Sequence, residues 1–251
     1  MIEIKGVTKY FDAKKVLHEV DATFEQGKVN LIIGKSGSGK TVLLKTLIGL
    51  LPADAGTIAF DGREITGDNA RNMKEIRKEM GVVFQGGALF DSLPVLENVM
   101  FPLDLFSRAD EAWKRERALA CLHRVDLDNV SHLHPAELSG GMKKRVAIAR
   151  AIVLQPRYLF CDEPNSGLDP LTAIVIDNLL SSITREYGMT TVINTHDMNS
   201  VFETGENIIF IHDGRKEWEG DREAIFHAAS PALNEFLFTS KFNRTIKEHL
   251  S

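Results

Sequence analysis

Gly34-Lys35-Ser36-Gly37-Ser38-Gly39-Lys40-Thr41 decides the reading of this chain. It carries every fixed position of the phosphate-binding pattern G-x-x-x-x-G-K-[ST]. The run Val29-Asn30-Leu31-Ile32-Ile33 before it predicts a buried strand, and Val42-Leu43-Leu44-Lys45-Thr46-Leu47-Ile48 after it predicts a helix. That bracketing separates it from a glycine-rich turn with a chance Lys-Thr. The glycines permit a backbone curl whose N–H groups converge on phosphate oxygens at the positive end of the helix. Gly34, Ser36, Gly37, Ser38 and Gly39 are therefore expected to cradle phosphates, Lys40 to reach the β- and γ-phosphates, and the Thr41 hydroxyl to ligate Mg²⁺. The expected ligand is a nucleoside triphosphate.

Working outward, residues 1–30 alternate apolar and polar positions and turn at Gln26-Gly27-Lys28, which predicts antiparallel strands leading into the loop. Ala55–Gly62 reads as a strand between two turns, and Gly81-Val82-Val83-Phe84 as a short buried strand ending at Gln85. Residues 88–154 change to helical periodicity. In the stretch from Asp110 to Val125 the pattern predicts an apolar face of Ala112, Trp113, Ala118, Leu119 and Leu122. This block is a candidate helical subdomain inserted into an α/β core. Strand and helix then alternate again: strand 158–161, helix 171–186, strand 190–194, strand 208–211. Such hydrophobic βα units imply a mainly parallel sheet covered on both faces. The tail from Pro231 to Ser251 reads as one or two short helices with Phe236, Phe238 and Phe242.

A second constellation lies in Tyr158-Leu159-Phe160-Cys161-Asp162-Glu163, where two acids end an apolar strand. Asp162 is placed to hold Mg²⁺ beside the phosphate loop, and Glu163 to orient or deprotonate an attacking water. A third segment, Leu138-Ser139-Gly140-Gly141-Met142, precedes an amphipathic run. Ser139 is a good helix N-cap there, and the glycines let backbone N–H groups approach an anion.

Bulk composition narrows the class. At 251 residues the chain can bury a full core, and 43% hydrophobic with 26% charged residues is a soluble globular balance. A net charge of −5 argues against a general nucleic-acid binder. Cys121 and Cys161 lie far apart in apolar runs and are expected as buried, reduced thiols. The start Met1-Ile2-Glu3-Ile4-Lys5 reads as an edge strand rather than a signal peptide, and no apolar run is long enough to span a bilayer. The expected location is cytoplasmic.

With these segments in place the chain resembles the ATP-binding subunit of ABC transporters over residues 1–225. The resemblance implies a P-loop NTPase fold of the ABC ATPase type: α/β, a mainly parallel sheet, an N-terminal antiparallel β-subdomain and an inserted helical subdomain. Residues 226–251 then form a C-terminal helical extension. Leu138–Met142 resembles the family signature LSGGQ, with Met142 in place of glutamine. By the same resemblance Phe11, with Tyr10 as the weaker candidate, stacks on adenine, and Gln85 contacts Mg²⁺ and the water. Ser166-Gly167-Leu168-Asp169 matches the loop that crosses the dimer interface, bringing Asp169 to the nucleotide, and His196 matches the switch histidine at the γ-phosphate. The implied assembly is a head-to-tail homodimer in which Lys40 and Thr41 of one copy and Ser139-Gly140-Gly141 of the other enclose each ATP.

The stretch from Phe84 to Leu93, with Val95-Leu96-Glu97-Asn98-Val99, resembles the Mla-type subfamily of lipid-transport ATPases, and Met142 fits that group. This implies phospholipid as cargo, a permease docking near residues 86–102, and an MCE-type lipid-binding protein and small accessory subunit as further partners. Amino acids or metal chelates are the alternative cargo. A ribosome- or DNA-acting ABC protein fits poorly, because such relatives carry two cassettes or a long coiled-coil insertion.

Overall fold

The computed structural model describes residues 1–67 and 71–238 and is built on two sheets. Strands β1 (Ile2–Phe11), β2 (Lys14–Phe24), β4 (Ala55–Phe60) and β5 (Arg63–Glu64) form an antiparallel sheet in the order β2-β1-β4-β5. The larger sheet contains β3 (Val29–Ile33), β6 (Met80–Val83), β7 (Tyr158–Asp162), β8 (Thr190–Thr195), β9 (Asn207–His212) and β10 (Arg215–Gly220). Its order is β10-β9-β3-β8-β7-β6, and every pairing is parallel except β10 with β9.

The helices are α1 (Lys40–Leu47), α2 (Asn72–Ile76), α3 (Val95–Phe106), α4 (Glu111–Arg124), α5 (Gly140–Ile152), α6 (Pro170–Tyr187), α7 (Met198–Thr204) and α8 (Pro231–Leu237). None of the described helices is long and apolar enough to cross a membrane.

The period of two along each central strand splits the core in half. Leu31 and Ile33 of β3, Leu159 and Cys161 of β7, Ile193 of β8 and Phe210 of β9 face one way and pack with α3 to α8. Ile32, Phe160, Val192 and Ile209 face the other way and pack with α1 and the antiparallel sheet. Because both faces are covered, these strands read as unbroken apolar runs. The parallel strands also deliver their C-terminal ends, and the loops that follow β3, β7 and β8, to one edge of the sheet.

Helices α3, α4 and α5 fall between β6 and β7, as the helical periodicity predicts. The face of α4 differs from the prediction. Ala118 and Leu122 are buried, together with Cys121, but Ala112, Trp113 and Leu119 are exposed. Lys114 and Arg117 take the inward stripe instead. Lys114 pairs with Asp104 at 2.9 Å, and Arg117 Nε donates to the Val153 carbonyl at 3.0 Å, so their aliphatic stems cover what larger apolar groups would. Both cysteines are free and buried, as expected. In the tail, Phe238 is buried and Phe236 stacks on Phe210 at 5.4 Å, whereas Phe242 lies outside the described residues.

Candidate functional site

The phosphate loop joins β3 to α1 with a backbone only glycine supplies at its entry. Gly34 has φ 151°, and a Cβ there would sit 2.2 Å from the Ile211 carbonyl oxygen. Gly39 precedes α1, no side chain caps the helix, and no acid lies in its first turn. Its first N–H groups are therefore left for an anion. The buried Ser38 hydroxyl has no hydrogen-bond partner among the described residues. Lys40 is only 5% exposed, and its Nζ donates to the carbonyls of Gly34 at 2.9 Å and Lys35 at 3.0 Å. Burial lowers the Lys40 pKa, and the carboxylates of Glu163 and Asp162 oppose that shift.

Beside the loop, the ends of β7 and β8 build a carboxylate edge. Asp162 Oδ1 accepts from Asn194 Nδ2 at 2.5 Å and from Thr41 Oγ1 at 3.4 Å, while Asn194 Nδ2 also reaches Thr41 Oγ1 at 3.0 Å. One step on, Glu163 adopts φ 47°, a left-handed conformation that a non-glycine residue holds only when its surroundings impose it. Its N–H donates to the Asn194 carbonyl at 2.9 Å. Its carboxylate takes Gln85 Nε2 at 3.0 Å on one oxygen and lies 2.9 Å from His196 Nδ1 on the other. Glu163 is mostly shielded, whereas the His196 side chain is 61% exposed and so open to an incoming group.

Phosphate loop and carboxylate edge line one cavity of about 620 Å³ with Val16, Gln85, His196 and Phe236 on its walls. That is the size of a small-ligand site. Of the residues expected at the nucleotide, Gly34 and Ser38 form the buried floor of the loop, and Ser36, Gly37, Gly39, Lys40, Thr41, Gln85, Glu163 and His196 border the cavity. Phe11 stands exposed at the end of β1 with Lys9 Nζ 5.8 Å from its ring.

Ser139, Gly140, Gly141 and Asp169 lie outside that cavity. Ser139 caps α5, accepting from Met142 N at 3.3 Å. Gly141 packs against the start of α6, where a Cβ would meet Thr172 Cγ2 at 2.8 Å. Asp169 caps α6, accepting from Thr172 N at 3.0 Å. Signature segment and Asp169 are thus neighbours of each other and not of their own phosphate loop.

The donor set suits a hard divalent cation. Thr41 and Asp162 bring a hydroxyl and a carboxylate together, the oxygen ligands Mg²⁺ prefers beside a bound phosphate. Gln85, the third expected ligand, donates its amide nitrogen to Glu163 Oε2 at 3.0 Å, a bond that does not use the amide oxygen, the atom through which it would ligate a cation.

Two functional residues escape a sequence reading. Asn194 ties Asp162 to Thr41, and its only signal was a polar side chain at the end of an apolar strand. Lys144 of α5, 7% exposed, donates to the Gln85 carbonyl and to the Glu163 carbonyl at 3.4 Å. Burial lowers its pKa. Its signal was a cation on the apolar face of α5, four residues before Ile148.

Comparison with known proteins agrees with this geometry. Residues 17–166 match the family model described as ABC transporter. The chain is 37% identical over 236 residues to the probable ribonucleotide transport ATP-binding protein mkl of Mycobacterium leprae (strain TN), covering 94% of this chain and 68% of that protein. To the glutamine transport ATP-binding protein GlnQ of Escherichia coli (strain K12) it is 40% identical over 240 residues, covering 94% and 98%. Among solved structures it superposes on the ATP-binding cassette MJ0796, a dimer in a post-hydrolysis state bound to ADP and Pi. That match has a TM-score of 0.80 at 33% identity, over 88% of this chain and 99% of that one.

Proposed function

This chain belongs to the ABC transporter family, and we propose that its ATP hydrolysis drives phospholipid transport across or between bacterial envelope membranes through a permease. The observation that carries the enzymatic part is the Gln85–Glu163–His196 cluster on the wall of the phosphate-loop cavity. Glu163 holds the attacking water and takes its proton, and His196 donates toward the γ-phosphate. Lys40 exchanges its two loop carbonyls for phosphate oxygens as ATP enters. Thr41 and Asp162, braced by Asn194, would hold Mg²⁺, which when bound would offset charge on the phosphates. Phe11 offers its exposed ring to the base.

The capped N-terminus of α5 at Ser139-Gly140-Gly141, a second anion-binding element, lies outside the phosphate-loop cavity of its own chain. Two copies arranged head to tail bring that element of one to the cavity of the other, with Asp169 at the crossing. The dimeric, ADP- and Pi-bound state of the MJ0796 cassette supports that arrangement. Separation of ADP from phosphate then unlinks the two halves, and the resulting opening is the motion passed to the membrane partner.

The permease docks on the segment between β6 and α3. Asn98 holds this loop by accepting from Phe90 N at 2.8 Å and donating to Phe90 O at 3.0 Å and Leu93 O at 2.9 Å. A groove of about 590 Å³ opens beside it, floored by Leu93, Pro94, Leu96, Met100 and Phe101 and edged by both signs of charge, Glu97, Asp104 and Glu111 with Arg115. Leu89 packs inward on the core and is not part of that floor. An amphipathic helix fits such a surface. Phospholipid as cargo is supported by the resemblance of Phe84–Leu93 and Met142 to the Mla-type subfamily, which brings an MCE-type protein and a small accessory subunit as partners and the cytoplasmic face of the inner membrane as location. The likeness to a glutamine transport protein favours a second reading, a small polar solute.

Purification of the tagged chain from its own cells in nanodiscs, with mass spectrometry of bound proteins and lipids, tests the cargo. A permease with an MCE-type protein and enriched phospholipid is expected. A permease with a soluble solute-binding protein and no lipid enrichment would replace phospholipid by a polar solute.

A further inference from the structure

Hydrolysis as described leaves one buried carboxylate unused. Asp177 lies on the core-facing stripe of α6 with Ala173, Ile176 and Leu180, and is 6% exposed. An apolar side chain would serve packing better there, since a buried carboxylate must be compensated by hydrogen bonds. Those bonds come from two functional turns. Ser200 Oγ, on α7, donates to Asp177 Oδ2 at 2.7 Å. Asn165 Nδ2 donates to Ser200 Oγ at 2.8 Å and to Asp177 Oδ2 at 3.3 Å. The same Nδ2 lies 3.5 Å from Asp197 Oδ2, and Asp197 Oδ1 caps α7 through Asn199 N at 2.9 Å.

Asn165 is two residues after Glu163, and Asp197 directly follows His196. The cluster therefore bridges the turn that carries one member of the hydrolytic pair to the turn that carries the other. Backbone bonds within the first turn, Ser166 N to Glu163 O at 3.2 Å and Leu168 N to Asn165 O at 3.3 Å, pass the position of Asn165 on to the strained Glu163.

We propose that Asp177 is a positioning residue for ATP hydrolysis, which through Ser200 and Asn165 fixes the Glu163 turn against the His196 turn. The proposal rests on Glu163 and His196 being the hydrolytic pair. Ionised Asp177 accepts from both partners, and a protonated carboxyl keeps a poorer acceptor. Burial, and then the charge of Asp197, push its pKa up to about 6 against the bonds from Ser200 and Asn165. The other titratable group facing it is the buried Cys161 thiol of β7. No cation among the described residues forms an ion pair with it. Asn at this position is therefore a permanent mimic of the protonated acid, so the wild-type advantage should fade in acid.

The test uses the transporter complex carrying wild-type chain, Asp177→Asn, Ser200→Ala, the double variant and Glu163→Gln as control. At about pH 7.5, Asp177→Asn should lower kcat about tenfold while KM stays within about twofold, the cost of a small misplacement of reacting groups. The ratio of wild-type to Asp177→Asn kcat should shrink to about threefold near pH 5.5, and taking the ratio cancels titrations that both proteins share. Ser200→Ala added to Asp177→Asn should cost little more, because the two act through one network. In the nucleotide-free complex, hydrogen exchange should rise over residues 163–168 and 196–200 of either single variant.

Equal kcat at every pH, a ratio independent of pH, additive losses or unchanged exchange would each overturn the proposal. If Asp177→Asn fails to fold, Ser200→Ala decides on kcat and exchange alone. An active Glu163→Gln would instead show that the hydrolytic pair was misassigned. An inactive Glu163→Gln beside a fully active Asp177→Asn would remove Asp177 alone.

Discussion

The phosphate loop and the Glu163–His196 edge line the same cavity, yet they are made of different material. The loop is one contiguous segment that offers main-chain N–H groups together with the side chains of Lys40 and Thr41, and its entry at Gly34 has no room for a Cβ. The edge gathers side chains from three distant segments, Gln85, Glu163 and His196. Lys144 reaches the main-chain carbonyls of Gln85 and Glu163, and Asn165, two residues beyond Glu163, bonds to Ser200 of α7. A binding site can be preformed by local backbone geometry. The proposed hydrolytic site has to be assembled by tertiary neighbours, and its burial of polar groups costs stability.

The largest effect should come from breaking the edge. Glu163→Gln preserves shape and the bond from Gln85 but not the base, so kcat should fall about a thousandfold with ATP affinity kept. Steady-state hydrolysis with equilibrium binding checks this, and a wild-type rate would end the division between binding loop and catalytic edge.

Next comes the stability cost of the edge. Asp177 is raised from 3.8 to about 6, so the folded chain holds this proton more tightly than the unfolded one. Its contribution to stability therefore falls as pH rises from about 4 to 6, by about 3 kcal/mol in all, and stays low above that. Asp177→Asn lacks this loss. Urea denaturation at about pH 4 and 7 should show the variant gaining on wild type at the higher pH, and a pH-independent difference would mean the carboxylate is not held as described.

The smallest effect belongs to the loop. Lys40→Ala removes charge-assisted bonds to phosphate worth about 2 kcal/mol, or roughly thirtyfold in ATP affinity. Calorimetric titration measures it, and unchanged affinity would put the phosphates elsewhere.

Legibility in the sequence follows the same division. The phosphate loop, its strand and helix, and the acidic end of β7 are short-range patterns and were readable directly. So were the alternating apolar strands, because their period is intrinsic to the backbone. The face of α4 was misread because Lys114 and Arg117 bury their stems while their charged ends reach Asp104 and Val153, which hydropathy alone scores as exposed. Asn194, Lys144 and Asp177 were invisible for a related reason. Asn194 and Asp177 are polar residues in apolar stretches and Lys144 is one of three successive cations, and only their partners, 32, 23 and 59 positions away, give them meaning.

By itself, then, the sequence determined a nucleotide-binding α/β cassette and the order of its motifs, since backbone curls, caps and strand periods are set by residues within a few positions of one another. Tertiary structure alone decided that the signature segment sits beside Asp169 and away from its own phosphate loop, and that Glu163 and His196 face each other 2.9 Å apart. Those facts depend on which parallel strands become neighbours. That is settled by burial on both faces of the sheet, a property of the whole chain and of no single segment.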